Sequence, residues 1–394
     1  MPGIRKSDPA YRRATLAMLA VGLATFNGLY CTQALLPTFT SVFNVTPTTA
    51  SLTISAATGT MALMIVPASV LSERFGRGRM LILSLLLATG FGLAIPFLNS
   101  MTWIIVFRGL QGACFAGAPA VAMTWLSEEI DKRDLAGAMG LYIAGNSLGG
   151  LSGRLIPAGI MELASWRWAM GLNAMFALIM ALSVWVLLPA QQNFRPRRIE
   201  LRTELQVMLG HWMNRRLAAL FLIAMLALGT SVSIYNYIGF RMIELFGLSE
   251  GLVGLLFLMY LSGTWSSARA GNFVRRWGQG PTIVGCATLM LVTIPLFVAT
   301  NLTLILLGLF VFTAAFFALH SVASGWVGLT ATSHRAETSS MYLFCYYVGS
   351  SLFGWLSGYF FHHSWTALLI WLADLAALIV MLSAWLWRGT PQPN

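Results

Sequence analysis

Charged and titratable side chains are rare inside long apolar runs, because hydrocarbon solvates none of them, so each one that occurs there is a first candidate for chemistry. Arg108, Arg154, Arg269, His320 and Asp374 are such residues in this chain. Arg108 lies deep in its run, with Gln111 and Phe115 at i+3 and i+7 on the same helical face. A guanidinium there faces a wet cavity that takes a solute, or else bonds backbone carbonyls across a bundle. Arg154 stands about a turn from the end of its run, where it either lines a cavity or snorkels, and Arg269 is expected to snorkel. His320 shares a face with Phe312 and Phe316, so it is either a group titrating near neutrality or a hydrogen-bonded packing residue. Asp374 is the only carboxylate well inside an apolar run and on electrostatic grounds is the candidate proton carrier. Clustered Ser/His, paired carboxylates and metal-ligand spacings are missing, so no enzyme, no cofactor and no metal site is expected. Cys31, Cys114, Cys286 and Cys345 all sit in apolar runs without a CxxC spacing, which gives no support to a disulfide framework or zinc site.

The elements that must position these residues are membrane helices. Of 394 residues 57% are apolar and only 9% charged, against roughly 25% charged in an ordinary soluble domain. That excludes a water-soluble globule, disorder and collagen-like repeats. Apolar runs of about 20 residues, the length a helix needs to cross hydrocarbon, recur along the whole chain. They give twelve spans, near 14–36, 50–72, 80–98, 102–126, 135–158, 168–188, 217–239, 251–269, 281–299, 303–326, 338–360 and 366–387. With the amino terminus cytoplasmic, 19 of the 24 Lys and Arg fall on the inner side, only Arg167 and Arg241 fall outside, and three lie within spans. The bias fixes the orientation, with both termini in the cytoplasm. It also explains the net charge of +11 as membrane topology, so that the lipid bilayer is the partner and nucleic acid is not.

The longest polar stretch separates spans 1–6 from spans 7–12, which divides the chain into a bundle over 1–188, a cytoplasmic linker over 189–216 and a bundle over 217–394. In the linker Leu201, Leu205, Met208, Leu209 and Trp212 keep helical spacing, as in a helix lying on the inner membrane surface. The two bundles repeat one another at an offset near 200. Ile95-Pro96 returns as Ile294-Pro295, Arg133 and Met139 as Arg335 and Met341, Gly145-x-Ser147-Leu148 as Gly349-x-Ser351-Leu352, and Ser165-Trp166 as Ser364-Trp365. Such order over the full length is the mark of a duplicated six-span unit.

After span 2 the chain reads Ser69-Val70-Leu71-Ser72-Glu73-Arg74-Phe75-Gly76-Arg77-Gly78-Arg79. This resembles the G-x-L-x-D-R-x-G-R-R signature of the major facilitator superfamily, with Glu73 at the acidic position and Ser69 in place of the first Gly. Arg108-Gly109-Leu110-Gln111-Gly112 is similar to the superfamily's R-x-x-x-G element in span 4. Span 5 carries Gly145, Gly149, Gly150, Gly153 and Arg154, similar to the G-x-x-x-G-P-x-x-G-G motif of the drug:proton antiporter branch, with Gly150 in place of Pro and Arg154 in place of the last Gly. In the second half Gly271-x-Phe273-x-Arg275-Arg276-Trp277-Gly278 corresponds to the loop after span 2, with Arg275 in place of the acid.

The resemblance implies an all-α polytopic membrane protein of twelve helices in two six-helix pseudo-repeats that rock about a central site. Spans 1, 4, 7 and 10 would line the cavity and spans 3, 6, 9 and 12 form an outer scaffold, which sets a structural ion pair beside proton carriage as the readings of Asp374. Glu73, Arg74, Gly76 and Arg77 would form a conformational latch, with Arg74 or Arg77 meeting Glu128, Glu129 or Asp131. The binding residues would be Asn27, Tyr30 and Gln33 from span 1, Arg108, Gln111 and Phe115 from span 4, Tyr235 and Asn236 from span 7, and Phe316 and His320 from span 10. No nucleotide-binding loop is present, so an ion gradient supplies the energy. The expected protein is a monomeric secondary transporter of a bacterial inner membrane, exporting amphipathic or drug-like organic solutes by proton-coupled antiport. The alternative is a carrier of small organic anions using Arg108 and Arg154.

Overall fold

In the computed structural model residues 3–194, 201–331 and 334–389 are described, and all their regular structure beyond one isolated bridge is helical. The chain divides into two compact units, Met1–Asn44 with Ala56–Glu204, and Val45–Ser55 with Leu205–Asn394.

The first unit is built from α1 (Pro9–Tyr30), α2 (Leu36–Phe43), α3 (Pro47–Phe75), α4 (Arg77–Ala94), α5 (Met101–Phe115), α6 (Pro119–Glu129), α7 (Leu135–Met161) and α8 (Trp166–Leu187). The first turns of α3 belong with the second unit, where Ser351 Oγ donates to the Ser55 carbonyl at 2.7 Å. Two passes that read as continuous apolar runs are interrupted. α1 stops at Tyr30, a 3₁₀ turn covers Gln33–Leu35, and α2 resumes with Pro37 in its first turn. Proline has no N–H to give and its ring collides with the carbonyl four residues earlier, so Pro37 forbids α-helical continuation through Gln33. α5 likewise ends at Phe115, and α6 restarts on Pro119.

α9 (Leu201–Gly210) begins in the first unit and passes into the second at Leu205, and the second unit goes on with α10 (Arg215–Phe246), α11 (Glu250–Gly254), α12 (Tyr260–Trp277), α13 (Gln279–Thr293), α14 (Leu302–Thr330), α15 (Arg335–His363) and α16 (Trp365–Arg388). Part of the expected linker, residues 195–200, lies outside the described residues. α9 carries exposed Leu201, Leu205 and Leu209, followed by exposed Trp212, while Met208 is buried.

Nine helical segments among the described residues are long and apolar enough to cross a membrane. The other three of the twelve expected spans are helical as well: the interrupted α5–α6, the glycine-rich α7, and α15 with its serines and terminal histidines.

Matching devices recur in the two units. Gly76 (φ +92°) and Gly278 (φ +82°) each sit at the turn into a following helix, in a backbone region closed to residues with a Cβ. Arg13 donates to the Val186 carbonyl at 3.1 Å near the end of α8, and Arg216 donates to the Gly389 carbonyl at the end of α16. Pro96 and Pro295 each fall in a 3₁₀ turn that closes α4 and α13. Gly145 approaches α1 so closely that a Cβ would lie 2.4 Å from the Leu19 carbonyl oxygen, and Gly349 approaches α10 so that a Cβ would lie 1.9 Å from that of Met225.

Candidate functional site

The interruption of the first pass exposes backbone carbonyls in the interior of the first unit, and polar side chains from four helices gather on it. Helix ends leave such acceptors unsatisfied and carry the negative pole of the helix. Arg108, fully buried on α5, meets both demands. It donates to the Gly28 carbonyl at 2.6 Å, to the Leu29 carbonyl and to Gln111 Oε1, with Cys31 Sγ at 3.5 Å. Gln111 Nε2 in turn donates to the Ala88 carbonyl of α4 at 3.1 Å. The close approach depends on Gly28, where a Cβ would lie 2.4 Å from the Phe115 ring. Arg108 is therefore bound to backbone carbonyls, the structural alternative open to it from sequence, and it holds the broken helix end in place.

Arg154 reaches the other side of the same interruption from α7. It is 2% exposed and does not snorkel. Its Nε donates to Gln33 Oε1 at 2.7 Å, one terminal nitrogen donates to the Gly150 carbonyl at 2.6 Å, and the guanidinium lies 4.2 Å above the Tyr30 ring centre. One turn before the break, Asn27 Nδ2 donates to Asn173 Oδ1 of α8 at 3.0 Å and to Ser152 Oγ of α7 at 3.1 Å. Its buried Oδ1 has no partner among the described residues. Asn27, Tyr30, Gln33, Arg108, Gln111 and Arg154 thus converge on residues 27–33. Asn173 and Ser152 went unnoticed in sequence, because an amide and a hydroxyl in an apolar helix are common and no spacing links them to Asn27.

The glycines of α7 divide by function. At Gly145, Gly149 and Gly153 an added Cβ would meet backbone oxygens of α1 at 2.4, 2.7 and 2.3 Å, so this i, i+4, i+8 row is a contact seam. Gly150 lies off the seam, where a Cβ would meet only the Arg154 side chain, at 3.3 Å.

In the second unit Tyr235 donates to Thr313 Oγ1 at 2.7 Å, since Thr313 directs its own proton to the Leu309 carbonyl. The Tyr235 ring packs against Phe257 and Tyr260 with centres 5.5 and 4.8 Å apart, and Asn236 beside it is buried. Phe316 is buried against Phe317. His320 Nδ1 is 3.0 Å from Tyr342 Oη, and its ring stacks on Tyr346 at 4.4 Å. These contacts make His320 one member of an aromatic stack, with partners on α15 that sequence spacing did not point to.

Asp374 lies elsewhere. It is exposed on α16, in a stripe with Ile370, Leu378, Met381 and Trp385, and it does not join the buried polar cluster of its unit.

At the latch Arg77 is 5% exposed and lies 2.5 Å from Glu73 Oε1 and 2.7 Å from Glu128 Oε1. It also donates to Ser72 Oγ at 3.1 Å. Arg74 is exposed and lies over the Phe75 ring. Glu129 makes a different contact from the one expected: its buried carboxylate accepts the backbone N–H groups of Gln192 and Asn193 at 2.9–3.1 Å, which fastens the segment after α8. Asp131 accepts from its own turn at Arg133 N and lies 3.7 Å from Arg5.

The profile of the Major Facilitator Superfamily matches residues 18–278. The chain is 39% identical over 387 residues to "Inner membrane transport protein YnfM" of Escherichia coli (strain K12), covering 98% of this chain and 93% of that one. It is 37% identical over 399 residues to "Uncharacterized MFS-type transporter YybF" of Bacillus subtilis (strain 168), covering 100% and 98%. Among solved structures it is similar in fold to the nucleoside transporter NupG, with a TM-score of 0.77 at 13% identity over 95% of this chain and 99% of that one. A D-xylose-proton symporter superposes with a TM-score of 0.72 at 15% identity over 97% of each chain.

Proposed function

The chain belongs to the Major Facilitator Superfamily, and on that premise we propose that it is a proton-coupled exporter of small amphipathic organic solutes. It is a multi-pass protein of the bacterial inner membrane, and its superfamily moves solutes by alternating access. The observation that carries the finer reading is the interrupted first helix. A membrane helix broken in its interior presents carbonyls and polar side chains where lipid offers no hydrogen bonds, and transporters place their solute and ion sites at such breaks. Here Asn27, Tyr30, Gln33, Gln111, Phe115 and the two arginines surround the break within the first unit. Walls of this mixture suit amphipathic solutes of moderate size.

A second reading, transport of organic anions, is favoured by one specific observation. Arg108 and Arg154 are both buried, whereas the acids of the first unit among the described residues, Asp8, Glu73, Glu128, Glu129, Asp131, Asp134, Glu162 and Glu204, all stand at or beyond helix ends or in a first turn. The interior of the first unit therefore keeps a positive field that draws an anionic group. Proteoliposomes with an internal pH dye, given an imposed proton gradient, separate the two. Proton flux triggered by cationic or neutral amphiphiles supports the exporter, flux triggered by acids alone supports the anion carrier, and no solute-dependent flux overturns both.

A further inference from the structure

The turn from α3 into α4 carries three arginines, and the latch consumes only one of them. Arg77 turns inward to Glu73 and Glu128. Arg74 and Arg79 are exposed and make no ion pair among the described residues. Both line a cleft of about 460 Å³ that lies wholly within the first unit, a volume inside the roughly 300–1,000 Å³ of small-molecule sites.

One wall of the cleft is the turn itself, and the other is the segment that leaves α8, from Leu188 to Phe194. That segment is fastened in place. Glu129 holds the N–H groups of Gln192 and Asn193, Gln191 Oε1 accepts the Gly78 N–H at 2.9 Å, and the Phe194 ring centre lies 5.9 Å from the Arg77 guanidinium. In the same wall the buried Nε2 of Gln191 has no partner among the described residues. Among those residues no carboxylate lines the cleft, so two cations face it uncompensated. Orientation of the chain in the membrane calls for positive charge at this end, but not for a walled cleft around it.

The cleft is also amphipathic. Phe75, Ile82 and Leu188 give it apolar surface. It sits where the apolar passes of α4 and α8 begin and end, and farther along them Leu83 and Leu87, and Trp185 and Val186, are exposed as lipid-facing residues are. The lysine and arginine bias puts this end at the cytoplasmic face. A water-soluble anion would leave the apolar surface unused.

We propose that this cleft binds an anionic phospholipid of the inner leaflet, with Arg74 and Arg79 on its phosphate and an acyl chain along Ile82 and Leu188. The planar guanidinium matches phosphate oxygens in two-pronged fashion, and basic pockets at the cytoplasmic ends of membrane helices take such headgroups. With no acid in the cleft to receive an ammonium, phosphatidylglycerol and cardiolipin are preferred to phosphatidylethanolamine. The bound lipid ties the turn that carries Arg77 to the segment that Glu129 fastens, and so stabilises the latch. This role is independent of the solute carried.

The test uses full-length protein in a neutral detergent. Native mass spectrometry counts the retained lipid, and the thermal midpoint is followed as phosphatidylglycerol, cardiolipin, phosphatidylethanolamine or inorganic phosphate is added. Wild type is expected to retain the two anionic lipids and to gain several degrees from them alone. Arg74→Gln with Arg79→Gln should bind them about tenfold more weakly, and Arg74→Lys with Arg79→Lys should fall between. Arg275→Gln with Arg276→Gln removes the same charge from the corresponding loop of the second unit and should bind as wild type does. Undiminished binding by the Arg74 and Arg79 pair of glutamines overturns the proposal. An equal loss in both glutamine pairs does so too, because general surface charge then holds the lipid. Equal binding of phosphatidylethanolamine overturns the choice of an anionic lipid, and an equal gain from inorganic phosphate overturns the lipid in favour of a free anion.

Discussion

Arg108 directs its donors at the carbonyls of Gly28 and Leu29 and at Gln111, so removing it strands acceptors in a region that water does not reach. Each buried acceptor left without a donor costs about 1–3 kcal/mol. Arg108→Gln is therefore expected to lower the thermal midpoint in detergent and to stop transport of every solute class, and thermal unfolding beside flux measures both. A single ammonium cannot reproduce the planar fork, so Arg108→Lys should also unfold earlier than wild type. Retention of wild-type stability by both variants would mean that the break of α1 stands without them. The latch has the same logic at higher stakes. Arg77 sits between Glu73 and Glu128 with almost no solvent access, and breaking a buried ion pair by removing one partner costs about 3–5 kcal/mol. Arg77→Ala is expected to be strongly destabilised and Arg77→Ala with Glu73→Gln less so, because the second change removes the stranded charge. A double variant as unstable as the single one would refute this account. Arg108 and Arg154 were legible in sequence because their cost in hydrocarbon marks them, while for the latch the resemblance offered only Arg74 or Arg77 against Glu128, Glu129 or Asp131, without choosing among the pairs. The other partners of these arginines were not legible: a backbone carbonyl has no sequence signature, and Gln33 and Tyr30 find Arg154 only through the turn that Pro37 imposes.

At the scale of elements, glycine sets how closely helices approach. Gly145, Gly149 and Gly153 put α7 against the backbone of α1, and Gly349 puts α15 against that of α10, with distances that leave no room for a methyl group. Overpacking of this kind costs about 1–3 kcal/mol. Gly145→Ala and Gly349→Ala should each lower the thermal midpoint and reduce flux. Gly140→Ala and Gly159→Ala, with nothing within 4 Å of an added Cβ, serve as controls on α7 and should behave as wild type. Equal effects at all four positions would show that helix flexibility, not contact, is what these glycines supply. In sequence these glycines stood with Gly150 in one motif by resemblance, and only the contacts set Gly150 apart; the recurrence of Gly145-x-Ser147-Leu148 as Gly349-x-Ser351-Leu352 has its physical reason in the two matching contacts. What spacing could not give was the continuity of the passes: the apolar runs of spans 1 and 4 pass through residues 31–35 and 116–118 with no change of composition, and only Pro37 and Pro119 hint at the breaks.

For the whole molecule the question is how often the chain crosses and which way. Composition, apolar runs and the offset near 200 made an all-helical membrane protein readable, because hydrocarbon allows an unpartnered backbone no other local solution than a helix. The number of crossings follows less directly, since α5–α6, α7 and α15 carry breaks, glycine, serine and charge that weaken their apolar signal. α7 is the sharpest case, with seven glycines and Arg154 within 27 residues. Its arginine is nevertheless compensated internally by Gln33, the Gly150 carbonyl and the face of Tyr30, so it adds little to the cost of burying this helix in a membrane. The lysine and arginine bias places the turn before α7, with Lys132 and Arg133, on the cytoplasmic side. The turn after it, with Leu163, must then lie outside if α7 crosses. Alkaline phosphatase fused after Leu163 is expected to be active and the same enzyme fused after Arg133 inactive, with a cytoplasmic fluorescent reporter giving the reverse pattern. Should both fusions report the same side, α7 does not span, and every later pass would be inverted against the charge bias that Arg275, Arg276, Arg335 and Arg388 carry.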